Sequence, residues 1–350
     1  NGTSPLMATL LVTHPCFVDH DTGPGHPERP DRMRAIDMVL AHDAFRALER
    51  EEAPLRDDVR AQIERVPPVA YFASIAKIAP GSSEGTRHID ADTVVSPGSW
   101  EAALRAVGAG LHAVDAVMEG RVANAFCQVR PPGHHAESDR SMGFCLFSNA
   151  AIAGEYARSK HGAERIAVVD FDVHHGNGTQ DIFWSDKDLF YGSTHEMPLF
   201  PGTGAPGETG VGNIFNAPLS AGADGAVFQA AMRSRILNSL KDFRPDLVIM
   251  SAGFDAHVRD PLAELLLAPA RKVFAKRRAC LFNCSFISAS SAAAAAEFPA
   301  IRVIVFCDAR WSSSSPACAC LVVKASRCTS TRARWCSAMR AASSSCAARA

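Results

Sequence analysis

Three apolar segments of this chain each run straight into a cluster of polar side chains, and that arrangement constrains the fold more than any other feature. Asn124 to Val129 leads into Arg130-Pro131-Pro132-Gly133-His134-His135. Arg165 to Phe171 (RIAVVDF) leads into Asp172-Val173-His174-His175-Gly176-Asn177-Gly178. Asp246 to Ser251 (DLVIMS) leads into Ala252-Gly253-Phe254-Asp255-Ala256-His257. Short runs rich in Val and Ile, bounded by turn residues, read as buried strands. A further strand is expected at Asp188 to Ser193. Helical spacing of apolar residues predicts helices over Asp31 to Leu48, Ser99 to Met118 (with Ser99 as N-cap), Asn149 to Lys160 and Ala226 to Phe243. Strands alternating with helices predict a single α/β domain with a central, mainly parallel sheet flanked by helices. In such sheets, sites form at the carboxyl ends of the strands, where the three clusters fall.

Asp172 and His174 are two residues apart, so an extended segment places both on one face and one ion can take both. Asp255, from another strand end, supplies a third ligand, and three protein ligands with an open position is the catalytic zinc pattern. One buried Asp or His is ordinarily structural; three clusters at three strand ends favour a site. His134 and His135 can be read as ligands, as loop-holding residues, or as a general acid–base pair beside the metal, and the last is preferred. Asp170 and Asn177 flank the ligand segment and suit the task of orienting those imidazoles. Gly133, Gly143, Gly176 and Gly178 fit loops packed around a narrow channel. Phe144 and Phe200 are candidates for its walls, evenly balanced against plain core.

The chain has 350 residues, room for one large domain or two, and 47% of them are hydrophobic. A formal net charge of −1 gives no global field toward nucleic acid or a membrane surface. The closest approach to a membrane-spanning run, Ala279 to Ala296, is broken by Asn283 and several serines. No signal peptide is readable; Met7 looks like a natural start, and the Asn1-Gly2-Thr3 acceptor motif is discounted. Cys16, Cys127 and Cys145 read as reduced thiols of a cytoplasmic protein.

Composition breaks near Leu267. All 24 glycines lie at or before Gly253, all 13 histidines at or before His257 and all three tyrosines at or before Tyr191. An α/β domain needs glycine at turns and helix ends. The expected division is therefore a catalytic domain over 7–267 and an anomalous Ala/Ser/Arg/Cys-rich tail over 268–350. The tail is either disordered or an out-of-frame translation of a GC-rich gene; the second is favoured because the fold is unfinished at Leu267.

Six motifs then carry a resemblance: GPGHPERPDRM from Gly23, VRPPGHHAE from Val129, GFCLFSNAA from Gly143, VVDFDVHHGNGTQDIF from Val168, PLFPGTGAPGETGVGN from Pro198 and SAGFDAHVRDPLAEL from Ser251. They resemble the histone deacetylase-like amidohydrolases of the bacterial class II type, over about Met7 to Leu265. The resemblance implies an arginase/deacetylase-like fold and a zinc-dependent deacylase acting on an acetylated protein or a small acyl amide, with a homo-oligomer as an option. It implies that Asp172, His174 and Asp255 hold one zinc ion and that His134 and His135 are the acid–base pair. Asp170 pairs with His134 in this scheme, and Asn177 takes a place filled by aspartate in class I members. Gly143, Phe144 and Phe200 line the acyl-lysine tunnel. Leu262 stands where polyamine-selective relatives carry an acidic residue, which disfavours polyamines. Asp90 or Asp92 anchors the substrate backbone, Arg29 lies near an internal exit channel, and Asp170, Asp172, His174, Ser193 and Thr194 hold structural potassium.

The family's next element is a strand and glycine-rich loop bearing a tyrosine that donates to the oxyanion. No Tyr, His or Gly occurs after His257, so activity is expected to be impaired. Losing one such donor typically lowers rate by about 10²–10³. Two alternatives stand beside the enzyme: an acyl-lysine binder without turnover, and a two-metal ureohydrolase, for which His175 and Asn177 are poor bridging ligands.

Overall fold

The computed structural model describes residues 8–66, 69–79, 81, 84–260, 263–267 and 302–307. In chain order the strands are β1 (Thr9–Thr13), β2 (Glu49–Glu52), β3 (Arg87–His88), β4 (Val94–Val95), β5 (Asn124–Cys127), β6 (Ile166–Asp170), β7 (Leu189–Glu196), β8 (Ile214–Leu219), β9 (Leu247–Ser251) and β10 (Arg302–Phe306). The helices are α1 (Asp31–Leu40), α2 (Val59–Ile63), α3 (Val69–Ile78), α4 (Ser99–Met118), α5 (Asn149–His161), α6 (Asn177–Phe183), α7 (Gly225–Ala231) and α8 (Asn238–Phe243). Eight strands form one sheet in the order β2-β1-β5-β10-β9-β6-β7-β8, and β3 and β4 form a small antiparallel pair. Every neighbouring pair in the large sheet is parallel.

Parallel strands of this kind are buried on both faces, which is why they read as unbroken apolar runs. Ile166 and Val168 of β6 enter one core cluster, Ala167 and Val169 the other. In β9 the same division separates Leu247 and Ile249 from Val248 and Met250. Helices α4 and α5 contribute Ala102, Ala106, Ala150 and Ala153 to the first cluster. Helix α1 supplies Ile36 and Leu40 to the second, joined by Phe228, Met232 and Ile236.

The expected elements are present, with ends that shift by a few residues in either direction. Helix α1 stops at Leu40, and a separate 3-10 turn covers Asp43–Phe45, with His42 accepting from the Ala44 N–H. Ser99 is the first residue of α4 rather than its cap, which is Gly98; its Oγ bonds Ser96 N at 2.7 Å and His20 Nδ1 at 2.6 Å. The helix expected over 226–243 contains a π-helical stretch, Met232–Leu237, between α7 and α8.

One central strand lies beyond the compositional break. β10 runs between β5 and β9, pairing Val303 with Asn124 and Val248. At its end Ala252 N donates to Phe306 O at 2.9 Å and Cys307 N to Cys127 O at 3.0 Å. The sheet therefore draws on residues both before and after Leu267; the other residues of 268–350 lie outside the described ones. A Cβ on Gly110 of α4 would come within 2.5 Å of Phe306 Cζ, so β10 explains a mid-helix glycine that otherwise costs about 1 kcal/mol relative to alanine. Among the described residues, no helix is long and apolar enough to cross a membrane, and Cys16, Cys127, Cys145 and Cys307 are buried.

The placement of β10 is testable by denaturation. Phe306 is fully buried, so Phe306→Ala is expected to lower the unfolding free energy by about 3–5 kcal/mol. A change within about 0.5 kcal/mol, the range of an ordinary surface substitution, would remove β10 from the core.

Candidate active site

Because β5, β6 and β9 are parallel, their carboxyl ends open on one edge of the sheet. The register sets Asp170, the last residue of β6, opposite Ser251, the last of β9. The segments beyond them stay side by side: Val173 N donates to Asp255 Oδ1 at 2.9 Å. Within the β6 segment, Asp172 N donates to Asp170 Oδ1 at 3.1 Å and His174 N to Asp172 Oδ1 at 2.9 Å. These backbone donors turn the carboxylates inward. Gly253 lets the two segments close up, since any Cβ there would collide with the backbone and carboxylate of Asp172.

The result is a buried trio in which one ligand atom each of Asp172, His174 and Asp255 lies within 4.8 Å of the others. His174 Nδ1 is 3.0 Å from both Asp172 Oδ1 and Asp255 Oδ2. Burial pushes Asp255 and Asp170 above the usual carboxylate range, and neighbouring Asp172 adds to both shifts. Burial acts on Asp172 the same way, but His134 and His174 outweigh it and hold that carboxyl well below. Burial would depress His174, yet Asp172 and Asp255 raise it. Among the described residues, the ion pairs of these three carboxylates are to histidine alone, never to Lys or Arg. Buried carboxylates are ordinarily paired or metal-bound. One imidazole nitrogen and two carboxylates form an N/O donor set that fits a divalent cation such as zinc.

The expected histidine pair stands beside this trio, ring centroids 3.9 Å apart. His134 Nδ1 lies 3.1 Å from Asp170 Oδ2, and His135 Nδ1 lies 2.8 Å from Asn177 Oδ1. Phe200, 37% exposed, packs its ring 5.1 Å from His135 and 6.4 Å from His174. Gly143 and Phe144 both adopt positive φ, 56° and 69°. For phenylalanine that conformation is strained; Phe144 N donates to Thr93 Oγ1 at 3.2 Å, which helps hold it.

Other expected residues stand apart. Asp90 is exposed and accepts from Asp92 N and Thr93 N, closing its own turn. Its loop reaches the site through Thr93 and His26; the His26 ring packs 4.7 Å from Phe144 and its Nε2 lies 3.0 Å from Asp92 O. Arg29 is at the surface beside Asp31, while Arg32 and Arg130 are buried and both bonded to Glu28. Ser193 is the register partner of Asp170, but its Oγ bonds His195 Nδ1 at 2.9 Å; Thr194 Oγ1 is buried and has no hydrogen-bond partner among the described residues. His175 bonds Thr203 and Gln180 and stands outside the trio. Leu262 lies outside the described residues.

Residues 26–297 match the histone deacetylase domain. This chain belongs to the histone deacetylase family. Over 277 residues it is 37% identical to a histone deacetylase-like amidohydrolase of Pseudomonas aeruginosa, covering 76% of this chain and 70% of the relative. A probable deacetylase of Archaeoglobus fulgidus is 36% identical over 266 residues, 75% of this chain and 73% of the relative. The crystal structure of the HDA15 HD domain superposes with a TM-score of 0.79 at 28% identity, covering 98% of this chain and 99% of that one. Membership in the histone deacetylase family implies a deacetylase or amidohydrolase, and the family is zinc-dependent in general. The family match also runs past Leu267.

Two site residues of this deacetylase-family chain had no role assigned from sequence. Tyr191 OH, inside β7, donates to Asp170 Oδ2 at 3.2 Å and accepts from Gly176 N at 3.0 Å. Glu137 Oε1 accepts from Asn177 Nδ2 at 2.6 Å. Glu137 closes the motif VRPPGHHAE, the one available signal; Tyr191 looks like any strand aromatic. Gly253→Ala is expected to displace Asp172 and weaken zinc binding by about 10–100-fold, the range for residues that support metal ligands, as read by calorimetric titration. Unchanged affinity would show that the close approach of the two segments does not shape the site.

Proposed function

We propose that this chain is a zinc-dependent deacylase that hydrolyses the amide of acetyl-lysine or a similar small acyl amide. The observation that carries this reading is the buried Asp172–His174–Asp255 trio with a histidine pair beside it, each histidine held at Nδ1 by its own acceptor. Zinc held by the trio supplies Lewis acidity toward a water and an acyl carbonyl. Asn177 Oδ1 can only accept, so neutral His135 carries its proton on Nδ1 and keeps the Nε2 lone pair for a proton from water. Asp170, bonded to His134 Nδ1, stabilises the protonated ring that returns a proton to the leaving amine. Phe200 and Phe144 wall the acyl-lysine chain and exclude bulk water. Asp170, Asp172, His174, Ser193 and Thr194 are the proposed potassium site, supported by the pairing of Asp170 with Ser193.

A second reading is favoured by one sequence fact, the absence of Tyr, His and Gly after His257. Without the oxyanion donor, the same site is an acyl-lysine binder with little turnover. The proposed division is a catalytic domain over 7–267 and an anomalous tail over 268–350; the family match runs to residue 297 and β10 pairs within the sheet. The out-of-frame tail remains a proposal for residues 268–350, and the stretch of gene that bears on it lies downstream of the codon for Pro261. Translating the other frames of the gene there tests it: a frame encoding a Gly-Gly-Tyr loop makes the natural product a complete deacylase.

The functional reading is tested on the full chain loaded with zinc. A hydroxamate is expected to bind in a zinc-dependent way. Acetyl-lysine peptide hydrolysis is expected to be slow, on the order of 10²–10³ below that with a complete oxyanion hole, and to be lost in His135→Asn. Hydrolysis that persists after chelation, or a hydroxamate that fails to bind, would contradict the reading.

A further inference from the structure

We infer that Glu137 is a positioning residue that decides which nitrogen of His135 carries the proton; the inference deepens the proposed deacylase reading and rests on it for its consequence in rate. His135 touches Asn177, and an amide can present either end: Oδ1 accepts and Nδ2 donates. Something must choose between them. A carboxylate can, because it has acceptors only.

Glu137 is placed for that task. Its Oε1 takes Asn177 Nδ2 at 2.6 Å, while Oε2 receives Arg140 Nε at 3.1 Å and Nη2 at 2.7 Å. The backbone closes the same turn, with Glu137 N donating to Arg140 O at 2.9 Å. Met142 Sδ, 3.3 Å from Asn177 Nδ2, is a second acceptor on the same side. Turning the amide over would set Asn177 Oδ1 against a carboxylate oxygen and leave two acceptors facing each other. The amide therefore shows its NH₂ to Glu137 and its oxygen to His135. That oxygen fixes the proton of neutral His135 on Nδ1, 2.8 Å away, and leaves Nε2 as the acceptor. The negative charge stays one residue away from the ring, so Glu137 sets the tautomer through Asn177 without touching the imidazole.

The test uses the zinc-loaded full chain, labelled with ¹⁵N-histidine, in four forms: unsubstituted, E137Q, N177D and N177D/E137Q. The His135 signals are those missing in H135N. The unsubstituted chain is expected to show the Nδ1–H tautomer alone. E137Q keeps the size of Glu137 but can leave its oxygen to Arg140 and donate to Asn177, so the Nε2–H tautomer is expected to appear. N177D sets two carboxylates together and is expected to lower Tm. The double variant exchanges carboxylate and amide: the amide introduced by E137Q donates to the carboxylate introduced by N177D. That carboxylate still accepts from His135, so the single Nδ1–H tautomer returns. Where turnover is measurable, kcat is expected to fall about 10-fold in E137Q, within the range for partners that orient metal-site groups, with KM changed less than about twofold, and to recover in the double variant. A single Nδ1–H tautomer in E137Q, or no recovery in the double variant, overturns the inference. If tautomers follow Glu137 and the unsubstituted chain shows no turnover, the positioning inference stands and the deacylase reading fails.

Discussion

Asp170, Asp172 and Asp255 are buried together, and among the described residues no lysine or arginine neutralises them. Taking a carboxylate out of water costs several kcal/mol even after relaxation, and like charges at close range add to that. Much of the site's local structure follows from supporting this arrangement. Backbone N–H groups of Asp172, Val173 and His174 donate to the carboxylates. His134 and Tyr191 share Asp170 Oδ2. Gly253 and Gly176 leave no Cβ where one would strike Asp172 or Asp170. These devices reduce the cost without removing it, and on the proposed reading a bound cation would supply the remaining compensation.

The sheet brings this charge to one place. β9 and β6 are neighbours, so Asp255 and Asp172 leave adjacent strands at the same edge. β5 carries the histidine pair but is separated from β9 by β10, whose last carbonyl and following N–H bond both neighbours. Below the histidines, Arg130 anchors their loop: Nε and Nη2 grip Glu28 at 2.5 and 2.6 Å, and Nη1 donates to Phe17 O at 2.7 Å. Arg32 bonds the same carboxylate. Burial alone would raise the Glu28 pKa, but the two guanidinium groups hold it well below the carboxylate range. Such a pair is costly to break from one side, by about 3–5 kcal/mol, which fixes the loop that presents His134 and His135.

The strands and their polar ends were legible because parallel strands buried on both faces concentrate Val and Ile and stop at a site. RIAVVDF could hardly be anything else. Less legible were elements whose stability is tertiary. β2 is Glu-Arg-Glu-Glu at a sheet edge, with no apolar signal. β10 is a good strand in a stretch whose composition argued against any. Roles that depend on a partner's orientation were equally hidden. Asp170, Asn177 and the histidines were visible from spacing and resemblance, whereas Glu137 and Tyr191 act through other side chains and became clear only when those contacts were placed. Arg29 shows the converse: a motif drew attention to it, yet the buried arginine three residues later is Arg32.

On the proposed reading, the buried trio holds one divalent cation. Calorimetric titration of zinc into the metal-stripped full chain, with D172N/D255N as the comparison, tests this reading. One zinc ion per chain is expected in the unsubstituted protein and no measurable binding in the double variant. Two ions per chain, no binding at all, or binding that survives both substitutions would contradict it.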